Sequence, residues 1–123
     1  MKFARIVFLI AGVWGLTIMT PLYFLFDYVG RSYPPPVTHP DLYYGFVGVT
    51  LVWQVAFLII STNPIRHRPF MLVAFLEKAV YVTTMAILYQ RGQLELSQFS
   101  VAVPDSMLGV LFVVAFIRTR GLS

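Results

Sequence analysis

Pro69–Tyr89, PFMLVAFLEKAVYVTTMAILY, decides how this chain is read. The run is apolar except for Thr83, Thr84, the two tyrosines and one charged dipeptide, Glu77-Lys78. A helix of roughly 20 residues crosses the hydrocarbon core of a bilayer, and this run has that length. Charged groups at such depth are costly and rare, and they turn toward a bundle interior or a water-filled cavity. Glu77 and Lys78 are therefore the first candidates for function, and the segment around them predicts a membrane helix.

Three further apolar segments flank it: Phe3–Phe26, Leu42–Ile60 and Val101–Ile117. In lipid every backbone amide must be satisfied internally, which makes such segments helices, and the strict alternation of an outer-membrane barrel is absent. The sequence predicts an all-α polytopic membrane protein, one domain over 1–123. Its four-transmembrane-helix bundle has helices at about 3–26, 41–62, 69–90 and 101–119. Composition agrees: 59% of residues are hydrophobic and 11% charged, against about 25% charged in soluble domains. Too few polar residues remain to coat a soluble surface. Lys2 and Arg5 before an apolar run resemble a signal peptide, but no small-x-small cleavage site follows and the run continues through PLYFLF, so an uncleaved first helix is expected. There is no cysteine, which excludes disulfides, thiolate nucleophiles and thiolate metal sites.

The formal charge of +4 reflects topology rather than a nucleic-acid footprint. Lys2, Arg5, Arg66, Arg68, Arg118 and Arg120 fall on one side of the predicted membrane, and only Arg31 and Arg91 in the other loops. That asymmetry predicts both termini in the cytoplasm and a location in the inner membrane. Asp27, Asp41, Glu95 and Asp105 map to the opposite side. Arg66-His67-Arg68 is either a topology anchor or a site for anionic lipid headgroups. His39 and His67 lie on opposite sides, so no metal site is expected, nor any cofactor. Between the first two helices, Pro34-Pro35-Pro36 is expected to be extended and stiff. Thr38 can cap the second helix, with Pro40 and Asp41 in its first turn.

Helical rise places Glu77 roughly 12 Å deep, near the midplane, with Gln54 of the antiparallel second helix at a similar level. Tyr43, Thr50, Gln54 and Ser61 share one helix face; Glu77, Tyr81 and Thr84 share another. The short loop STNPIRHRP makes the two helices antiparallel neighbours, so the two polar stripes are expected to face each other or a common cavity, with Gln54–Glu77 the contact expected. Lys78 is turned about 100° from Glu77 and is expected to point elsewhere, toward Gln54, Asp105 or a second protomer. Thr17 precedes Pro21, which removes the amide that would bond its carbonyl, giving either a kink or a free acceptor in a polar site. Trp14 and Trp53 lie inside the membrane, where they either line a polar pocket or fill the core. Asp105 is either a first-turn acid of a helix starting at Pro104 or, if that helix starts near Phe99, a member of the buried charged cluster. Gly12, Gly15, Gly45, Gly48 and Gly109 mark close-packing faces. Tyr23, Tyr28, Tyr33, Tyr43, Tyr44 and Tyr89 form an interfacial belt.

The stretches HPDLYYGFVGVTLVWQ (39–54), FLEKAVY (75–81) and DSMLGVLFVVAF (105–116) resemble segments of small bacterial four-helix membrane proteins. They are broadly similar to the DoxX-like group and, in architecture, to emopamil-binding and sigma-2 type bundles. The emopamil-binding resemblance implies an intramembrane pocket for an apolar ligand, with acids stabilising positive charge. Three functions follow as expectations. The first is an intramembrane pocket for a hydrophobic small molecule or lipid, with Glu77, Lys78, Gln54, Tyr81, Trp53, Thr17 and Asp105 as candidate ligand-binding residues. The second is a non-catalytic accessory subunit locked into a homodimer or larger membrane complex. The third is a proton-coupled transporter of a small cation, which the nearly apolar cytoplasmic third disfavours. No nucleophile–base pair or phosphate loop is visible.

Overall fold

In the computed structural model, residues 2–32, 38–94 and 96–121 are described, and no strand occurs among them. Helix α1 (Lys2–Met19) runs into a 3-10 turn, Thr20–Phe24. Then follow α2 (Phe26–Ser32), α3 (Pro40–Thr62), α4 (Arg68–Gln90), α5 (Leu96–Phe99) and α6 (Ala102–Arg118). Three spans, Lys2–Phe24, Pro40–Thr62 and Arg68–Gln90, each of 23 residues, are long and apolar enough to cross a membrane. Helix α6, at 17 residues, is shorter. Large apolar side chains such as Leu9, Ile10, Val52, Leu76 and Val110 stand exposed on the outer faces. Soluble monomers rarely expose contiguous apolar surface on this scale, whereas lipid-facing helices must.

Local chemistry sets the boundaries. Pro21 has no amide to continue the α ladder, so the first helix tightens into 3-10 geometry at Thr20 instead of running on to residue 26. The stretch FDYVGRS forms α2 where a loop is expected, with Asp27 in its first turn and Arg31 in its last, each matched to the helix dipole. Tyr33, the Pro34–Pro36 run and Glu95 lie outside the described residues. Pro40 opens α3 as expected, but His39, not Thr38, holds the cap position, and no side chain caps it. Asn63 ends α3, and its Oδ1 accepts from the Arg66 amide at 3.2 Å. Gly92, with φ of 72°, closes α4 by letting Gln93 N–H reach the Leu88 carbonyl at 2.9 Å. Helix α6 begins at Ala102, between the two starts considered from sequence, after a short α5 that the pattern did not announce.

Helix α1 packs on α3, α4 on α6, and α1 also on α6, while α3 and α4 touch sparingly despite their short connection. The two helices joined by the short loop are thus neighbours, but not each other's main partners. Without a hydrophobic driving force in lipid, close approach decides which helices pair. A Cβ on Gly12 would sit 2.9 Å from the Gln54 carbonyl oxygen, and one on Gly15 would collide with the Gln54 side chain. The small face of α1 thus seats α3. Below it, Phe8 stacks on Phe112 at 4.4 Å and Phe57 meets Phe112 edge-on at 5.1 Å, with Ala4, Ala11, Ala74 and Ala115 buried around them. Arg118 lies 4.5 Å over the Phe3 ring, so the start of α1 and the end of α6 sit together at this tightly filled end. At the opposite end the Tyr43 hydroxyl donates to the Leu22 carbonyl at 2.6 Å, and Tyr23, Phe26, Tyr43 and Tyr44 pack ring against ring.

Candidate ligand-binding site

Glu77 and Lys78 stand in the middle of α4, and Asp105 in the first turn of α6 faces them. Lys78 Nζ donates to Asp105 Oδ1 at 3.2 Å and lies 3.5 Å from Glu77 Oε2. The second distance is an ion pair but too long for a good hydrogen bond. The lysine is 4% exposed, and its ammonium sits 5.2 Å over the Phe57 ring. Gly109 makes room on α6: a Cβ there would stand 3.4 Å from Lys78 Cβ. Lys78 therefore does not point away from its neighbour; its flexible stem brings the ammonium between two carboxylates on two helices. Asp105 serves both roles weighed from sequence, since a first-turn acid can satisfy the helix dipole and still reach a lysine across the interface.

Beside this triad lies a cavity of about 410 Å³, bounded by Trp14 and Met19 of the first span, Thr50 of α3, Glu77 and Tyr81 of α4, and Asp105 of α6. A second space of about 510 Å³ opens between α3 and α4 against Val49, Trp53, Val80 and Thr84. The two share Phe46, Thr50, Glu77 and Tyr81. Phe46 and Tyr81 stack at 6.3 Å where the spaces meet. Glu77 Oε2 is buried against the Lys78 ammonium at 3.5 Å, with no shorter donor. Ligand pockets are of this size and make-up: apolar and aromatic walls with a few convergent polar groups.

The expected residues divide. Glu77, Tyr81, Trp53 and Asp105 line these spaces, as does Trp14, while Trp53 also packs against Phe57 at the edge of the core. Lys78 lies behind them, lining a smaller groove of about 200 Å³ between α4 and α6. Gln54 goes elsewhere: no hydrogen bond joins it to Glu77. It is 1% exposed against Gly15, with Nε2 donating to the Thr50 carbonyl at 2.8 Å and Oε1 unpartnered. Thr17 is exposed, donates to the Val13 carbonyl at 2.8 Å and lines neither space. Phe46 was not foreseen, although Phe46, Thr50 and Trp53 fall at i, i+4 and i+7 and so share a face.

Arg68 bears on one of the two readings of its loop. Its guanidinium turns inward, donating to the Phe116 carbonyl at 2.8 Å and to Thr119 Oγ1 at 3.1 Å, with the Phe116 ring 3.8 Å beneath it. It caps the carbonyl end of α6 and is not free for lipid headgroups. Among the described residues no cluster of three or more potential metal ligands occurs. No protein-family model, curated protein or solved structure matches the chain. The likeness to DoxX-like and emopamil-binding type bundles rests on the three stretches quoted for it.

Proposed function

We propose that this is an inner-membrane protein of four transmembrane helices, with both termini in the cytoplasm and an intramembrane pocket for a hydrophobic small molecule or lipid. One observation carries the reading: a cavity of about 410 Å³ lies directly beside Glu77 and is walled by elements of a single chain. A ligand site needs such a void, whereas an accessory subunit would set its buried charges against a partner, and here Lys78 is satisfied within its own chain. The filled Phe8, Phe57 and Phe112 cluster at the termini end supports a closed pocket over a transport path. For α6, about 25 Å of helix together with α5 and the Ser100–Val101 corner gives the fourth crossing. The charge asymmetry supports the orientation.

The test is native mass spectrometry with lipidomics on gently extracted protein, wild type against Glu77→Gln. An apolar molecule that co-purifies with wild type and is lost in the variant supports the pocket. A stoichiometric protein partner with no such molecule overturns it in favour of the accessory subunit.

A further inference from the structure

We infer that the occupant is a single-chain amphiphile that enters from the bilayer between α3 and α4 and donates a hydrogen bond from its head to Glu77. This rests on the pocket reading above and adds the chemical class of the ligand and its route.

The head follows from a count of donors and acceptors. Two carboxylates, with four acceptor oxygens between them, share one ammonium, which donates to Asp105 at 3.2 Å and lies 3.5 Å from Glu77 Oε2. The Glu77 carboxylate is thus held by one long ion pair, while its side chain, 18% exposed, lines both spaces. A carboxylate that accepts so little from its own chain takes a ligand O–H or N–H. A ligand bringing a further acceptor, such as an ether or ester alone, leaves that carboxylate as it was. The walls near it, Trp14, Ile18, Met19 and Phe46, ask for hydrocarbon. A volume of about 410 Å³ suits one slender molecule rather than a two-chain phospholipid.

The route follows from the packing. The termini end is filled by Phe8, Phe57 and Phe112, and at the other end Ser100 and Val101 form part of the cavity wall. Between α3 and α4 contacts are sparse, and the groove there adjoins the cavity, the two sharing four lining residues. Its lips, Val49 and Val80, are 63% and 64% exposed, on faces that meet lipid. The Phe46–Tyr81 stack stands across the junction, where side-chain rotation alone would open it.

The experiment uses the full chain in lipid nanodiscs and its two tryptophans as reporters, Trp14 in the cavity and Trp53 in the groove. Three probes of matched length are titrated: a chain-brominated long-chain alkanol, the corresponding alkylamine and the methyl ether of the alkanol. Saturable quenching by either donor-headed probe is expected, with the ether giving only the linear quenching of a probe dissolved in the bilayer. Loss of the charge-assisted bond in Glu77→Gln weakens the saturable phase roughly tenfold. Glu77→Met removes the acceptor, retains the Lys78–Asp105 pair and abolishes the phase while circular dichroism stays unchanged. Val80→Trp, filling a lip, slows association severalfold. An ether that saturates like the alkanol, or a Glu77→Gln titration matching wild type, overturns the inference and leaves the pocket standing. An unchanged association rate in Val80→Trp overturns the route. Absence of saturation with all three probes removes the pocket reading itself.

Discussion

Replacing Lys78 with Met removes the cation that holds two carboxylates together, and the structure sets the size of the effect. Lys78 is 5% exposed at its side chain, Glu77 18% and Asp105 24%. Breaking a buried ion pair by deleting one partner costs about 3–5 kcal/mol, mostly from the charge left behind. The partial exposure of both acids places Lys78→Met at the lower end, about 3 kcal/mol. Glu77→Gln should cost much less, within about 1 kcal/mol, because the Lys78–Asp105 hydrogen bond survives. Asp105→Asn falls between them, since the lysine keeps only the 3.5 Å pairing with Glu77. The decisive variant is the triple change Glu77→Gln, Lys78→Met, Asp105→Asn. With no charge left to compensate, it should recover to within about 1 kcal/mol of wild type, well short of the sum of the single costs. Equilibrium unfolding in mixed micelles, followed by circular dichroism, measures all four. Additive costs in the triple variant, or a Lys78→Met protein within about 0.5 kcal/mol of wild type, would refute the claim that the three groups act as one coupled unit.

Three other perturbations probe the frame around the site. Gly12→Ala forces a methyl group against the Gln54 carbonyl and the Leu58 side chain, parting α1 from α3; a loss of about 1–3 kcal/mol in the same unfolding assay is expected. Arg68→Ala uncaps α6 and should cost about 1.5–3 kcal/mol, with Arg68→Lys recovering less than half because an ammonium cannot reproduce the forked contact with Phe116 and Thr119. Because the chain has no cysteine, Arg66→Cys and Arg91→Cys, both at exposed positions, report topology directly. A membrane-impermeant maleimide applied to intact spheroplasts should label the second and spare the first, and the reverse pattern would invert the orientation.

Much of the frame was legible because lipid leaves the backbone few choices. Apolar length located the three long spans to within a few residues, and proline and asparagine at 40, 63 and 69 marked their ends. The misses share a cause: sequence periodicity says which residues share a face, not which helix that face meets. Gln54 and Glu77 were paired because a short loop joins their helices and their depths match. In the structure the glycines of α1 draw α3 away, so Gln54 packs on Gly15 and the space it would have filled becomes the groove. Lys78 reaches Asp105, one of its expected targets, but also keeps Glu77 beside it, for a related reason. The 100° between adjacent residues describes Cβ directions, and a four-carbon stem can cancel it when a carboxylate waits on the next helix.

The placement of Gln54 explains why a cavity exists at all. Had Gln54 met Glu77, the two polar stripes would have satisfied each other, and α3 and α4 would have closed as an ordinary helix pair. Instead, Gln54 Oε1 is left without a donor on one helix, and Glu77 is left with one long ion pair on the other. Of the two residues, Glu77 lines the open spaces. Gln54 Oε1 is pressed against a backbone that no ligand reaches, and it rigidifies the α1–α3 pair by tolerating nothing larger than glycine opposite it. The α4–α6 pair is held separately, by Arg68 at one end and the Lys78–Asp105 bond further along. Two rigid pairs meet through the Phe8, Phe57 and Phe112 cluster at the termini end and diverge beyond it. The fold thus leaves the Glu77 carboxylate, held by one ion pair at 3.5 Å, on a residue that lines both spaces, which is where the proposed donor-headed amphiphile would meet it.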